Sequence, residues 1–110
     1  MSEYQKYLDS AISELRRGTL VLGVLSALDK PMYGYSLIQV LHSKGFLIDQ
    51  STLYPLLRRL EKQEFLKSDW EIEDSRPRKY YVLSESGRKF LADLIGEWKS
   101  NIKIINSLLD

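Results

Sequence analysis

The chain has 110 residues, one domain's worth, with 16 Lys and Arg against 15 Asp and Glu and a net charge of +1. A chain of this length buries a modest core without disulfides or metal. With no cysteine and one histidine, His42, it has no thiolate chemistry or His-rich metal set and little room for a catalytic triad. So weak a net charge does not itself argue for nucleic acid; only the placement of charge can.

In chain order, Tyr4, Tyr7, Leu8, Ala11, Ile12 and Leu15 recur at steps of three and four and predict an amphipathic helix over Tyr4–Arg17. Gly18 and Thr19 offer a break or bend. Leu20–Leu28 is apolar nearly all round and fits a helix at the centre of the core. That run falls well short of the ~20 residues that cross a bilayer. The N terminus has no signal-peptide pattern, so the expected location is the cytoplasm, away from membranes. Pro31 closes the segment, because proline disfavours helical geometry in the residue before it.

Tyr33-Gly34-Tyr35-Ser36 opens a short second helix, buried through Leu37, Ile38, Val40 and Leu41 and stopped at Lys44-Gly45. A turn through Phe46–Gln50 leads to a third helix that starts near Ser51 or Thr52, either of which can cap it. It runs to about Glu64, and Pro55 is tolerable only in its first turn. Leu66–Ile72 alternates, with Leu66, Trp70 and Ile72 against Lys67, Asp69 and Glu71, as a half-buried strand does. Glu73–Pro77 makes the turn, Arg78–Leu83 returns, and Ser84 caps a long last helix.

On a wheel of about 100° per residue, Leu53, Leu56, Leu57 and Leu60 share the arc of the third helix that must face the core. Ser51, Pro55, Arg58, Arg59 and Lys62 share the opposite arc. Three outward cations with hydroxyls at the N terminus suit a DNA major groove, where the first residues reach base edges and the cations meet phosphates. Taken alone, that arc also reads as a plain solvated face. The hairpin tips the balance: Arg76, Arg78 and Lys79 cluster at its tip and on its returning strand, just before Tyr80-Tyr81, although Glu73 and Asp74 cancel part of that charge. Tyr81 alternates with Tyr80 and so packs inward. The expected fold is therefore mainly α with a small β-hairpin wing: a winged helix-turn-helix followed by a long C-terminal dimerisation helix, with double-stranded DNA as partner.

Along that last helix Leu91, Ile95, Trp98, Ile102, Ile105 and Leu109 recur at four-three steps, broadened by Leu94 and Leu108. A terminal helix projecting beyond a small domain cannot bury such a stripe alone, and a second copy of the chain is the simplest partner. Leu8 and Ile12 of the N-terminal stripe would complete a bundle across the dimer. Each large side chain buried contributes about 1.5–3 kcal/mol. The bland alternative is a helix folded back on its own core. The expected division is residues 1–84 for DNA binding, with helix 3–17 helping the dimer, and 85–110 for dimerisation. A dimer sets two recognition helices about 34–36 Å apart and so asks for an inverted-repeat operator.

These residues converge on a family. Arg16–Gly87 resembles the PadR-like transcriptional regulators in three stretches: RRGTLVLGVLSAL with PMYGYSLIQVL, STLYPLLRRLEKQEFL, and PRKYYVLSESG. The resemblance implies a winged helix, a homodimer, repression of a nearby promoter, and release by a small effector or stress signal. By position it implies Thr52, Tyr54, Pro55 and Arg58 on the recognition helix. It likewise implies Tyr33 and Tyr35 beside the phosphates, and Arg78, Lys79 and Tyr80 at the wing base. In short-tailed members a tryptophan in this part of the last helix lines a pore at the dimer centre and stacks on flat, apolar drugs. Trp98 is then either half of a sandwich around an aromatic ligand or a plain interface residue. Two departures stand out. Glu64 occupies a position where the family commonly has glycine, which puts the turn into the wing in question. Ser75-Arg76-Pro77 replaces a more glycine-rich tip, which puts its reach into DNA in question. The competing reading is a winged-helix module that binds protein. An enzyme is not supported: there is no glycine-rich phosphate loop, paired carboxylates or activated nucleophile, and no cofactor or metal is expected. His42 is assigned to the surface, without a role.

Overall fold

In the computed structural model, which describes residues 2–110, one unbroken helix, α1 (Glu3–Ala27), takes up both N-terminal segments. Met1, with which the expected first domain begins, lies outside the described residues. The expected break at Gly18-Thr19 does not occur. A single glycine costs a helix only about 1 kcal/mol, the Thr19 hydroxyl donates to the Arg16 carbonyl at 3.0 Å, and burial of Val24, Leu25 and Leu28 anchors the C-terminal half. A two-residue strand, β1 (Met32–Tyr33), follows, then α2 (Gly34–Ser43) and α3 (Gln50–Lys62). The hairpin β2 (Leu66–Glu73) and β3 (Arg76–Leu83) leads into α4 (Glu85–Leu109).

The core is a cluster of leucines from α1, α2 and α3. Leu53, Leu56, Leu57 and Leu60 point inward as the wheel requires, against Leu25, Leu28, Leu37 and Leu41. Leu66, Tyr81 and Leu83 close it from the sheet. Both helices of the helix-turn-helix end in the same way. After α2, Gly45 (φ 102°) turns the chain left-handed, with Gly45 N–H on the His42 carbonyl (3.0 Å) and Phe46 N–H on the Leu41 carbonyl (2.8 Å). After α3, Glu64 (φ 68°) does so, with Glu64 N–H on Glu61 (2.9 Å) and Phe65 N–H on Leu60 (3.0 Å). Each pair is a Schellman closure. The turn after α3 thus keeps the left-handed geometry that favours glycine, with a Cβ-bearing residue in it.

Three details of α3 differ from expectation. Its cap is Asp49, whose carboxylate accepts from Thr52 N–H at 3.0 Å, rather than Ser51 or Thr52. It ends at Lys62, two residues before Glu64. Pro55 sits in the second turn, one turn deeper than the rule allows. Pro55 removes a bond to the Ser51 carbonyl, and both residues lie on the exposed face, where water can satisfy that carbonyl.

The sheet is antiparallel in the order β1-β3-β2, with Tyr33 opposite Tyr80 and Leu66 opposite Leu83. The turn is the two residues Asp74 and Ser75, both left-handed (φ 51° and 66°), as a type I′ hairpin requires. Glu73 and Arg76 are therefore paired strand residues. β2 is half-buried only at its base: Trp70 and Ile72 are 62% and 78% exposed, because the hairpin projects beyond the core.

Ser84 caps α4, accepting from Gly87 N–H at 2.9 Å. The Ser84 and Ser86 hydroxyls donate to the Glu64 carbonyl at 2.6 and 2.9 Å. Phe90 stacks on Phe65 (3.9 Å between centroids), and Arg88 pairs with Asp29 at the end of α1. Leu91 and Leu94 lean on the core of their own chain, whereas Ile105, Leu108 and Leu109 stay exposed.

Candidate nucleic-acid interface

The outward arc of α3 divides. Ser51, Pro55, Arg58 and Lys62 lie along its exposed centre. Thr52 is exposed too, beside the cap. The Ser51 hydroxyl donates to the Asp49 carboxylate at 2.8 Å. The bonds from Ser51 and then Thr52 hold that carboxyl below its ordinary range. Arg59 departs from its neighbours: it lines a cleft with Leu15 and Gly18 of α1 and Trp98 and Asn101 of α4. On the other flank Glu61 accepts from Ser68 and pairs with Lys79 at 3.4 Å.

Between that flank and the hairpin base lies a cleft of about 460 Å³, lined by Tyr33, Tyr35, Tyr54, Arg78, Lys79 and Tyr81. Tyr54 sits there because its ring covers the start of α2, where a Cβ on Gly34 would lie 2.6 Å from it. Gly34 keeps this contact open. The first turn of α2 enters the cleft without a side-chain cap, since Tyr33 at the cap position makes no such bond. Its free N–H groups carry the positive end of the helix dipole. The Arg78 guanidinium lies 5.7 Å from the centre of the Tyr33 ring, and Tyr80 meets that ring edge-on at 6.4 Å. Phenols, guanidinium and free N–H groups together make a seat for an anion.

Not every cation is free. Lys79 is held by Glu61 and lies over the rings of Tyr81 (5.4 Å) and Trp70 (6.0 Å). Across the hairpin Arg78 stands opposite Glu71, and Arg76 opposite Glu73. The hairpin carries Lys67, Arg76, Arg78 and Lys79 against Asp69, Glu71, Glu73 and Asp74, so the wing as a whole is neutral. The Tyr33 hydroxyl donates to the Glu73 carboxylate at 3.1 Å. Desolvation first, and then this bond and the charge of Glu71, raise the phenol above its ordinary range.

Glu61, Glu71 and Gly34 were not singled out in the sequence. A two-residue turn at Asp74-Ser75 would have exposed the Glu71–Arg78 pairing, since register follows turn length. Trp98, 43% exposed, borders the cleft that Arg59 lines and a second one with Ile95, Thr19, Gly23 and Phe46; their volumes are about 790 and 290 Å³. His42 is on the surface and bonds the Ile48 carbonyl at 2.6 Å. Among the described residues no helix is long and apolar enough to cross a membrane.

Comparison with known proteins adds to this geometry. Residues 21–93 match the model of the Transcriptional regulator PadR-like family. A PadR family transcriptional regulator from Eggerthella lenta DSM 2243 is 43% identical, with 97% of this chain and 96% of that one covered and a TM-score of 0.93. A transcriptional regulator from Clostridium thermocellum is 30% identical, with 88% and 99% covered and a TM-score of 0.78. Transcriptional regulator Rv3488 of Mycobacterium tuberculosis is 35% identical over 81 residues, covering 73% of this chain and 76% of that protein.

Proposed function

This chain belongs to the PadR-like family of transcriptional regulators, and from that premise we propose that it is a repressor that grips an inverted-repeat operator as a homodimer. The observation that carries the reading is the combined surface of α3 and the Tyr33 cleft. The exposed centre of α3 offers Ser51, Thr52, Pro55, Arg58 and Lys62 to the major groove. Beside it the cleft offers phenols, Arg78 and the uncapped start of α2 to a backbone phosphate. Residues 1–84 do the binding.

Residues 85–110 hold the dimer. The exposed Ile105, Leu108 and Leu109 of α4 and Tyr4, Tyr7 and Leu15 of α1 are apolar faces that water opposes and a second copy would cover. Trp98, between two clefts, suits stacking on a flat aromatic effector whose binding would alter the spacing of the two α3 helices.

Gel shift on the promoter region of the protein's own gene tests the first part. The wild type should retard the fragment and lose roughly a thousandfold in affinity between 50 and 200 mM salt, and Arg58→Ala should bind about tenfold or more weakly. Retardation without salt dependence, or not at all, favours the protein-binding reading, which the neutral wing and its exposed Trp70 and Ile72 support. Titrating aromatic cations and phenolic acids against tryptophan fluorescence tests the effector. Quenching that survives Trp98→Ala unchanged belongs to Trp70 and removes the sandwich.

A further inference from the structure

One phenol of the anion seat is already engaged from within. That phenol, Tyr33, gives its only hydrogen to Glu73, a residue 40 positions away at the far end of β2. The bond exists because the short hairpin turn brings Glu73 into paired register with Arg76. Arg78 in the same strand stacks toward Tyr33, so phenol, carboxylate and guanidinium converge. A carboxylate there has the charge and acceptor geometry of a phosphate oxygen. Glu71, next along the same face and opposite Arg78, adds its charge at Tyr33, but the hydroxyl's hydrogen bond goes to Glu73; Asp69 accepts from Trp70 N–H and Asp74 sits at the tip.

We infer that Glu73 is a built-in competitor for the phosphate that the Tyr33 seat would take, and that it sets how tightly the protein holds any DNA backbone. The inference rests on the DNA-binding reading. To seat a phosphate, the Tyr33 hydroxyl must let go of Glu73, and the displaced carboxylate must move away from the incoming negative charge. Every complex therefore starts with one exchange of acceptors rather than the gain of a new bond. Phosphate contacts carry no base information, so the brake acts equally on operator and unrelated sequence. It lowers residence on bulk DNA without touching the base readout by α3.

Fluorescence anisotropy with a labelled promoter duplex and an unrelated duplex tests this. Glu73→Gln leaves a neutral acceptor that a phosphate displaces. It should tighten binding to both duplexes by about three- to tenfold, the size of one net hydrogen bond. Asp74→Asn removes the same charge at the tip without touching Tyr33, and should gain clearly less. Adding Tyr33→Phe to Glu73→Gln should abolish the gain. Equal affinity of wild type and Glu73→Gln overturns the inference, as does a gain that persists in the double variant or is matched by Asp74→Asn. A wild type that binds neither duplex overturns the DNA reading itself and this inference with it.

Discussion

Replacing Glu64 by glycine should stabilise the protein, against the usual rule that glycine weakens a fold. Glu64 closes α3 at φ 68°, in the left-handed region, and its N–H and that of Phe65 complete the helix end. A Cβ in that region costs about 1–2 kcal/mol. Glycine removes the cost but gives back part of it, about 0.4–1 kcal/mol, through the greater freedom of the unfolded chain. The Glu64 side chain is exposed, and the bonds from Ser84 and Ser86 go to its backbone carbonyl, so the variant keeps them. The net gain is about 0.5–1 kcal/mol. With an unfolding entropy of ~2.1 cal/mol/K per residue, a chain of this length shifts its midpoint by roughly 4 °C per kcal/mol, so Tm should rise by about 2–4 °C. Thermal unfolding followed by circular dichroism at matched protein concentration reads this directly. The mirror experiment, Gly45→Ala at φ 102°, should lower Tm. If Glu64→Gly leaves the midpoint unchanged or lowers it, the left-handed turn is not strained and the account of how α3 ends is wrong.

Three further outcomes follow from the same geometry. A Cβ on Gly87 would overlap the Phe65 carbonyl oxygen where the start of α4 presses on the α3–β2 turn, so Gly87→Ala should cost about 2 kcal/mol or more in chemical denaturation. Asp49→Ala should destabilise α3, and the deficit should depend on pH. The folded Asp49 carboxyl lies below its ordinary value of 3.8, so its contribution is complete above that pH and fades as the pH falls through the lower folded value. Wild-type and variant midpoints should therefore converge in strong acid, and a gap that stays constant would show that the carboxylate charge is not the source. Ile105→Asp on the exposed stripe of α4 should leave the fold intact by circular dichroism and yield single chains in sedimentation, with loss of operator retardation. A dimer that persists would place the interface elsewhere.

Much of this molecule was legible in the sequence because much of it is local. The period of 3.6 residues placed Leu53, Leu56, Leu57 and Leu60 inward, and one hydroxyl before an apolar run marked Ser84 as the cap of α4. The motif stretches that resemble PadR-like regulators identified the fold before any contact was known. Where expectation failed, a local rule had met a distant contact. Gly18 and Thr19 permit a bend that the buried end of α1 does not need. Tyr33 belongs by its neighbours to a helix start and by its pairing with Tyr80 to a strand.

A wheel tells which residues share a face, and a strand pattern tells which alternate. Neither says what stands opposite. That is why the sequence alone could group Arg58 with Arg59, both of them exposed, but could not say that Arg59 also borders a cleft lined by α1 and α4. Likewise it could mark Trp70 and Ile72 as apolar, while the length of the hairpin beyond the core left them in solvent. The meeting of Tyr33 with Glu73 depends on a two-residue turn, on strand register and on a third strand contributed from before α2. Periodicity is set by backbone geometry within a few residues; partnership across 40 residues is set only when the whole chain has folded.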